Sequence, residues 1–148
     1  MTKNRTLLAI LLAVGVAGPN RAQVPGYDSP YTEGTVWGFT FVRVNPGMLW
    51  EYVRSLKAEM APIDEAKKQG LMLSYRIVAA DASTPDDWNV VIISEYKDMA
   101  TLDGFDAKMD AIASKAGFNE QKDKAAVVKR GDLRRLLGSK LGRELLLK

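Results

Sequence analysis

The sequence predicts a single α+β domain, because a strand-then-helix unit occurs twice along the chain. The first unit spans Thr35–Gln69 and reads as a β-strand, an Asn-Pro-Gly elbow and a long amphipathic helix. The second unit spans Trp88–Ala116 and is a weaker copy of the same pattern. With a further strand between them, these units predict an antiparallel sheet that carries its helices on one face.

The first strand, Thr35–Val44, is rich in the β-branched and aromatic residues that suit a pleated surface. Alternate side chains of a strand share a face. One face therefore carries Trp37, Phe39, Phe41 and Arg43, and the other carries mainly valines. Since both faces are largely apolar, we expect both to be covered in the folded protein.

The first helix begins at the elbow, where Asn45 is a good N-cap and Pro46 sacrifices no hydrogen bond. Apolar residues then recur at the spacing of one helix face, which predicts a single buried stripe. This stripe consists of Leu49, Val53, Leu56, Met60 and Ile63. Pro62 either kinks the helix or restarts it. Trp50 and Tyr52 lie beside the stripe, and we expect Trp50 to flank the core or to cover the elbow.

A hairpin and a second helix follow. Leu71–Ala79 and Trp88–Tyr96 have strand composition, and the polar turn Asp81–Asp87 separates them. Asp98 then caps a second helix that Gly117 ends. Its apolar stripe consists of Leu102, Phe105, Met109 and Ile112.

The C-terminal part reads as a polar helix, a short helix and a last strand. Glu120–Lys129 is helical in pattern but polar, and Leu133–Leu137 is a short helix that Gly138 ends. Leu141–Leu147 allows two interpretations, because its leucines, arginine and glutamate favour a helix, whereas a strand would complete the sheet. We take it as the fourth strand.

The resulting βαββαβ order is the ferredoxin-like plan, with a four-stranded antiparallel sheet and both helices on one face. The face without helices would be a large exposed apolar patch, which soluble monomers rarely tolerate. Packing two sheets face to face removes that patch. The sequence therefore predicts a homodimer.

The first residues have the pattern of a secretory signal peptide. Lys3 and Arg5 precede the apolar segment Leu7–Ala17, which is too short to span a bilayer in the usual way. We predict a signal peptide over residues 1–22 and a periplasmic or secreted protein that keeps no stable membrane anchor after cleavage. The alternative is an uncleaved N-terminal anchor.

After the signal peptide, residues 23–34 are rich in proline, glycine and tyrosine and predict a flexible leader. Residues 35–148 are then the single ferredoxin-like domain, which is long enough for one core.

Charge gives no support for nucleic-acid binding. The chain has 21 basic and 18 acidic residues, but residues 1–22 hold three of the basic residues and no acidic one. The remaining chain is therefore balanced, and the high isoelectric point belongs to the targeting segment. Within it, residues 119–148 are basic and residues 23–118 are acidic. This asymmetry favours complementarity within or between subunits, with an anionic partner as the alternative.

Several passages resemble the dimeric α/β-barrel superfamily, and most closely its small exported bacterial members of unassigned function. These are the strand that ends in R-x-N-P-G, the AKKQGLMLSYR transition, the WNVVIISEYKDMATLDGFD passage and the terminal REL strand. The resemblance implies the ferredoxin-like fold and a dimer. It does not choose a function, because the superfamily contains cofactor-independent monooxygenases, haem-handling enzymes, isomerases and plain ligand binders.

Missing residue types exclude many mechanisms. The chain has no histidine and no cysteine, which removes the usual haem ligand, the histidine base, thiol catalysis and most zinc sites. No phosphate-binding glycine loop or dinucleotide fingerprint occurs. Asp86 and Asp87 are adjacent carboxylates in a turn, which are usually only solvated. We therefore expect no haem, flavin or metal cofactor.

The candidate site consists of aromatic and charged residues on strands. The predicted ligand-binding residues are Trp37, Phe41, Arg43, Tyr75, Arg76 and Trp88, and Glu95 is the one weak catalytic candidate. By strand parity Tyr75 and Arg76 point to opposite faces, and so do Trp88 and Glu95. The alternative for the aromatic residues is packing at the dimer interface, and for the charged ones a salt bridge or an exposed rim.

Two function classes remain. The first is an exported homodimer that binds a small apolar or aromatic ligand, or that acts only as an interaction module. The second is a cofactor-independent monooxygenase or isomerase that acts on a small aromatic or apolar acidic substrate, in which Glu95, Arg43 or a tyrosine handles the proton. Arg43 or Arg76 would favour an anionic end on the ligand.

Overall fold

The computed structural model describes residues 28–57, 59–118 and 120–148. The predicted signal peptide and residues 23–27 of the leader lie outside the described residues. The elements are β1 (Tyr31–Val44), α1 (Leu49–Lys57), α2 (Met60–Lys68), β2 (Ser74–Ala79), β3 (Val90–Tyr96), a 3-10 turn (Met99–Leu102), α3 (Phe105–Lys115), α4 (Glu120–Leu133) and β4 (Arg134–Leu147).

The four strands form one antiparallel sheet in the order β2-β3-β1-β4. The two strands that flank the first crossover, β1 and β2, are separated by β3, which is the split arrangement of a ferredoxin-like fold. The predicted fold class is confirmed. The α4 helix is an addition to the basic plan, and Arg130 on it forms an ion pair with Glu59 between α1 and α2.

The hydrophobic core lies between the sheet and the helices. Its buried cluster consists of Val42, Val44, Tyr52, Leu56 and Val90, with Ile77, Ile92 and Leu133 packed against it. On the same side the ring of Tyr96 packs edge-on against Phe105 of α3. Residues of β1, β2 and β3 that share this side form the helix face of the sheet.

The predicted stripe is confirmed at Leu56 and Ile63, which are 4% and 7% exposed, and is wrong at Leu49 and Val53, which are 40% and 43% exposed. Tyr52 lies four residues before Leu56, on the same side of α1, and is only 1% exposed. Trp50 is 80% exposed, so it neither flanks the core nor covers the elbow. The helical region breaks between Lys57 and Met60, so the stripe belongs to two helices, α1 and α2.

Pro62 does not cause that break. It lies in the first turn of α2, where a backbone N–H has no intrahelical partner and its absence costs little. The restart therefore occurs before Pro62, and Glu59 is the N-cap residue.

The strand β1 begins at Tyr31, so the second part of the predicted leader belongs to the sheet. Tyr31–Glu33 pairs with Leu145–Leu147, and the register shifts between Glu33 and Val36. Beyond that bulge only β1 and β4 pair, since the β3 ladder ends where Val36 faces Tyr96. The two strands thus extend past the four-stranded sheet as a ribbon.

The strand β4 confirms the predicted terminal strand but begins earlier, at Arg134. The predicted short helix Leu133–Leu137 is wrong. The edge of β1 from Val42 to Val44 pairs with Arg134–Leu136, and this tertiary pairing overrides the helix propensity of the leucines. Gly138 ends no helix. It has φ 147° beside the second register shift, a conformation that favours glycine.

Candidate functional site

The sheet has a second face, and its residues follow from the strand register. We define the open face as the side chains of β1, β2 and β3 that point away from the core, together with Trp88. Trp37 faces Glu95, Phe39 faces Ile93 and Phe41 faces Val91 across the β1–β3 ladder. Glu95, Ile93 and Val91 in turn face Ser74, Arg76 and Val78 of β2.

An aromatic row runs along this face. The Phe39 and Phe41 rings stack with centroids 6.4 Å apart and an interplanar angle of 16°. The Phe41 and Trp88 rings follow with centroids 6.0 Å apart and an angle of 55°. Both separations lie in the range of favourable aromatic pairs. Trp37, Phe39, Phe41 and Trp88 therefore form one continuous apolar surface.

Trp88 joins this row because it does not belong to a strand. β3 begins at Val90, so parity does not apply to Trp88, and the prediction that it points away from Glu95 was wrong. The Asn89 side chain, next to Trp88, bonds the backbone of Val44. Its Oδ1 accepts from the Val44 N–H at 2.7 Å and its Nδ2 donates to the Val44 carbonyl at 3.1 Å. The side-chain amide thus takes the place of a backbone N–H and C=O pair opposite Val44. Trp88, the preceding residue, lies against Phe41 on the open face.

A depression of about 260 Å³ lies at the Trp37 end of the row. It is lined by Trp37, Phe39, Gly142, Arg143 and Glu144. A Cβ atom at Gly142 would already reach the Phe39 ring at 4.0 Å. Glycine at this position thus leaves the space open, and any larger side chain would fill it.

Acidic groups border the same end of the row. The Glu95 carboxylate accepts hydrogen bonds from Thr35 Oγ1 at 3.0 Å and from Ser74 Oγ at 2.8 Å. Thr35 Oγ1 is also 3.2 Å from a Glu144 oxygen. A hydroxyl has a single proton, so Thr35 serves one carboxylate at a time. The aromatic row therefore ends at two carboxylates with spare acceptor capacity.

The predicted site residues divide into three groups. Trp37, Phe41, Trp88, Arg76 and Glu95 lie on the open face. Arg43 lies at the end of that face and donates from NH1 to the Asp87 carbonyl at 3.3 Å.

Tyr75 lies on the opposite side of the sheet from Arg76, as strand parity predicts, because it faces Ser94. Burial, and next the nearby charge of Glu59, raise the pKa of Tyr75 to about 12. Tyr75 is thus a core phenol that stays protonated at neutral pH. It cannot share a site with Trp37.

Sequence reasoning missed the partners of Glu95 and the floor of the depression. Thr35, Ser74, Gly142 and Glu144 come to Trp37 from three different strands. Only the register brings them together, and a single sequence does not give that register. Phe39 was the exception, since parity alone places it beside Trp37 and Phe41.

Other site types are not found in the described part of the chain. Residues 28–57, 59–118 and 120–148 contain no group of three or more acidic residues placed to hold a metal ion. Within the same ranges, no helix has the length and apolar character needed to cross a membrane.

No family model matches the chain, and no curated protein matches it. Among solved structures, a protein of unknown function from Bacteroides thetaiotaomicron VPI-5482, described as a possible oxidoreductase, is 16% identical with a TM-score of 0.44. That match covers 78% of this chain and 100% of the other.

Two further similar structures are described as dimeric ferredoxin-like proteins. One, from an uncultured marine organism, is 16% identical with a TM-score of 0.47, and the match covers 79% of this chain and 98% of the other chain. The other, of unknown function from Thermobifida fusca YX, is 12% identical with a TM-score of 0.41 and covers 81% and 99%. The ferredoxin-like assignment of this chain rests on its own strand order.

Proposed function

We propose that this protein is an exported homodimer whose open faces pack together and form an aromatic-lined site for a small apolar or aromatic ligand. The observation that carries the proposal is the aromatic row, which lies on the sheet face opposite the core cluster. Its rings are only half-buried within one chain.

The distribution of charge on the open face suits a symmetric interface. Its middle is apolar, with Phe39, Phe41 and Ile93, and charged side chains lie toward its borders. Arg76 lies on the edge strand β2 and Lys140 on the edge strand β4, where it faces Phe39. Apolar centres with polar rims are typical of protein interfaces. An isologous contact would also bring the basic borders of one copy near acidic groups of the other.

The ligand would lie in the depression over Gly142, against the Trp37 and Phe39 rings. The charged residues in its lining are Arg143 and Glu144. Arg143 pairs with Glu33 at 2.8 Å, and Glu144 shares the Thr35 hydroxyl with Glu95, so the site favours a ligand that donates a hydrogen bond to a carboxylate, such as a phenol. This modifies the anionic end predicted from the arginines, because Arg43 lies at the far end of the face and Arg76 at its edge.

Tryptophan fluorescence tests the ligand site. The Trp50→Phe variant removes the exposed tryptophan of α1 and leaves Trp37 and Trp88 as reporters. We expect small phenols and aromatic acids to quench it saturably, with phenols bound more tightly, and we expect the purified protein to be colourless. Linear, non-saturable quenching by all these probes, or haem or flavin in the native preparation, would contradict the proposal.

A catalytic role is the second candidate, and the position of Glu95 favours it. This carboxylate faces Trp37 across the β1–β3 ladder and two hydroxyls hold it in place. It is therefore oriented to accept a proton from a bound phenol or quinol, as a cofactor-independent monooxygenase or isomerase requires. Oxygen uptake with phenolic or quinol substrates that Glu95→Gln abolishes would establish this role. Uptake that is unchanged in Glu95→Gln would exclude Glu95.

A further inference from the structure

A second depression of about 340 Å³ lies at one end of the sheet, apart from the depression over Gly142. At this end β1 stops at Val44, β2 stops at Ala79 and β3 begins at Val90. We call this depression the elbow pocket. It is lined by Arg43, Val44, Pro46, Leu49, Ala80, Asp81, Ala82 and Asn89.

The elbow pocket is lined by both polar and apolar groups. Its walls come from the elbow at Pro46 and Leu49 and from the β2–β3 turn at Ala80 and Ala82. Its volume is at the small end of the range for ligand pockets, which is roughly 300 to 1,000 Å³. The size and the small side chains suit a compact aliphatic group rather than a cofactor.

Asn89 is not available to a ligand. Both ends of its side-chain amide bond the backbone of Val44, its N–H donates to the Val42 carbonyl, and its carbonyl accepts from Ala80. These bonds fix one wall of the pocket. The polar side chains left to meet a ligand are Arg43 and Asp81.

Arg43 has unused donors. Its one hydrogen bond within the described residues is the 3.3 Å contact to the Asp87 carbonyl, whereas a guanidinium has five N–H donors. The side chain is half-buried, and a partly buried charge normally finds more partners than this. Because Arg43 lines the pocket, its remaining donors are available to a bound carboxylate, which a guanidinium recognises well.

The other charges nearby are already engaged. Arg135, which faces Arg43 on β4, pairs with Asp86 at 2.8 Å. The Asp87 carboxylate accepts from the Ser83 and Trp88 N–H groups. Asp81 has no ion pair or hydrogen bond within the described chain. One cation and one anion, not paired with each other, therefore border the same small pocket beside the apolar residues Pro46 and Leu49.

We propose that the elbow pocket binds a small zwitterion with an aliphatic body, of the class of free aliphatic amino acids. Arg43 receives the carboxylate, Asp81 receives the ammonium group, and the apolar walls contact the side chain. This site is independent of the aromatic row, so either proposal can fail without the other.

Three probes with the same carbon skeleton apart from the missing group separate the two charges: L-leucine, isocaproate, which lacks the ammonium group, and isopentylamine, which lacks the carboxylate. We would titrate each into the full isotope-labelled protein and follow the backbone amides of Leu49, Ala80 and Asn89. We expect saturable shifts with leucine, weaker binding of isocaproate and no binding of isopentylamine.

Variants then assign the contacts. Arg43→Gln should weaken leucine binding about tenfold or more, because it removes the charged hydrogen bonds to the carboxylate. Asp81→Asn should weaken leucine binding but leave isocaproate binding unchanged. Arg54→Gln, at an exposed arginine of α1, is the matched control and should change neither.

Two results would overturn the proposal. One is the absence of saturable leucine shifts up to the solubility of the amino acid. The other is equal binding of leucine and isocaproate by the wild type. The second comparison needs no variant, so it decides the matter even if Arg43→Gln fails to fold.

Discussion

The two faces of the sheet differ in how completely the chain covers them. On the helix face Val36, Val42 and Val90 are fully buried, and α1 contributes Tyr52 to the same core. On the open face Trp37, Phe39 and Phe41 are larger and more apolar in area, yet they stay half-buried. One chain thus covers one face and leaves the other partly exposed. The proposed dimer interface and the proposed ligand site both lie on the exposed side.

The C-terminal strand supports both faces, and its removal should have the largest effect. Truncation after Ser139 deletes the part of β4 that pairs with Tyr31–Phe39, which makes β1 an unprotected edge. We expect a poorly folded protein with little cooperative thermal unfolding. A truncated chain that melts like the full one would show that this half of β4 is dispensable.

The helix face should be sensitive to single truncations in its core. Tyr52→Ala removes the largest fully buried side chain of the described chain and should lower the free energy of unfolding by about 3–5 kcal/mol. Trp50→Ala, two residues away on the exposed side of α1, should change it by less than about 0.5 kcal/mol. Denaturant titration measures both, and similar losses would contradict the assignment of Tyr52 to the core.

Asn89 contacts the helix face and adjoins the open face. Its side-chain amide bonds the backbone of the core residue Val44, and the preceding residue, Trp88, lies on the open face. Asn89→Ala leaves the Val44 N–H and carbonyl without these partners and should cost about 1–3 kcal/mol. Asn89→Asp keeps the acceptor but sets a carboxylate oxygen against the Val44 carbonyl, so it should not restore the stability that Asn89→Ala loses. If denaturation shows Asn89→Ala to be neutral, the amide does not hold the end of the sheet.

The tyrosines of the helix face should make stability fall in alkali. Burial, followed by the charge of Glu59, raises the pKa of Tyr75 to about 12, and burial also raises the pKa of Tyr52 and Tyr96. A raised pKa means that folding favours the neutral phenol. The stabilisation is present below pH 10 and is lost as the pH rises toward 12. Tyr75→Phe should lose less stability between those pH values than the wild type, whereas Tyr31→Phe should behave like the wild type.

Local pattern was sufficient for most of the fold but not for the site. The alternation in β1 predicted which residues share a face, and the βαββαβ order predicted the topology. The start of β4 was missed because its leucines have helix propensity and only pairing with β1 decides the matter. Tyr52 was placed off the core because the stripe was chosen from aliphatic residues, although Tyr52 lies one turn before Leu56 on the same side of α1. Trp88 was misplaced because a side chain, Asn89, completes a backbone ladder.

The site itself depends on contacts between distant strands. Glu95, Thr35 and Glu144 meet through the register of β3, β1 and β4, and the depression exists because Gly142 lies opposite Trp37. No periodicity of a single segment contains this information. Conversely, the sequence alone predicted that the aromatic residues of β1 share one face, and that observation led to the prediction of a dimer.

The central claim is that the open face is a dimer interface, and light scattering after size exclusion tests it directly. We expect the chain without residues 1–22 to have twice the mass of one chain. Trp37→Asp should give a monomer or aggregates, since burying an unpaired charge costs several kcal/mol. Trp50→Asp, at an exposed tryptophan, should leave the dimer intact. A wild type that stays monomeric and soluble at high concentration, or a Trp37→Asp variant that stays dimeric, would contradict the account.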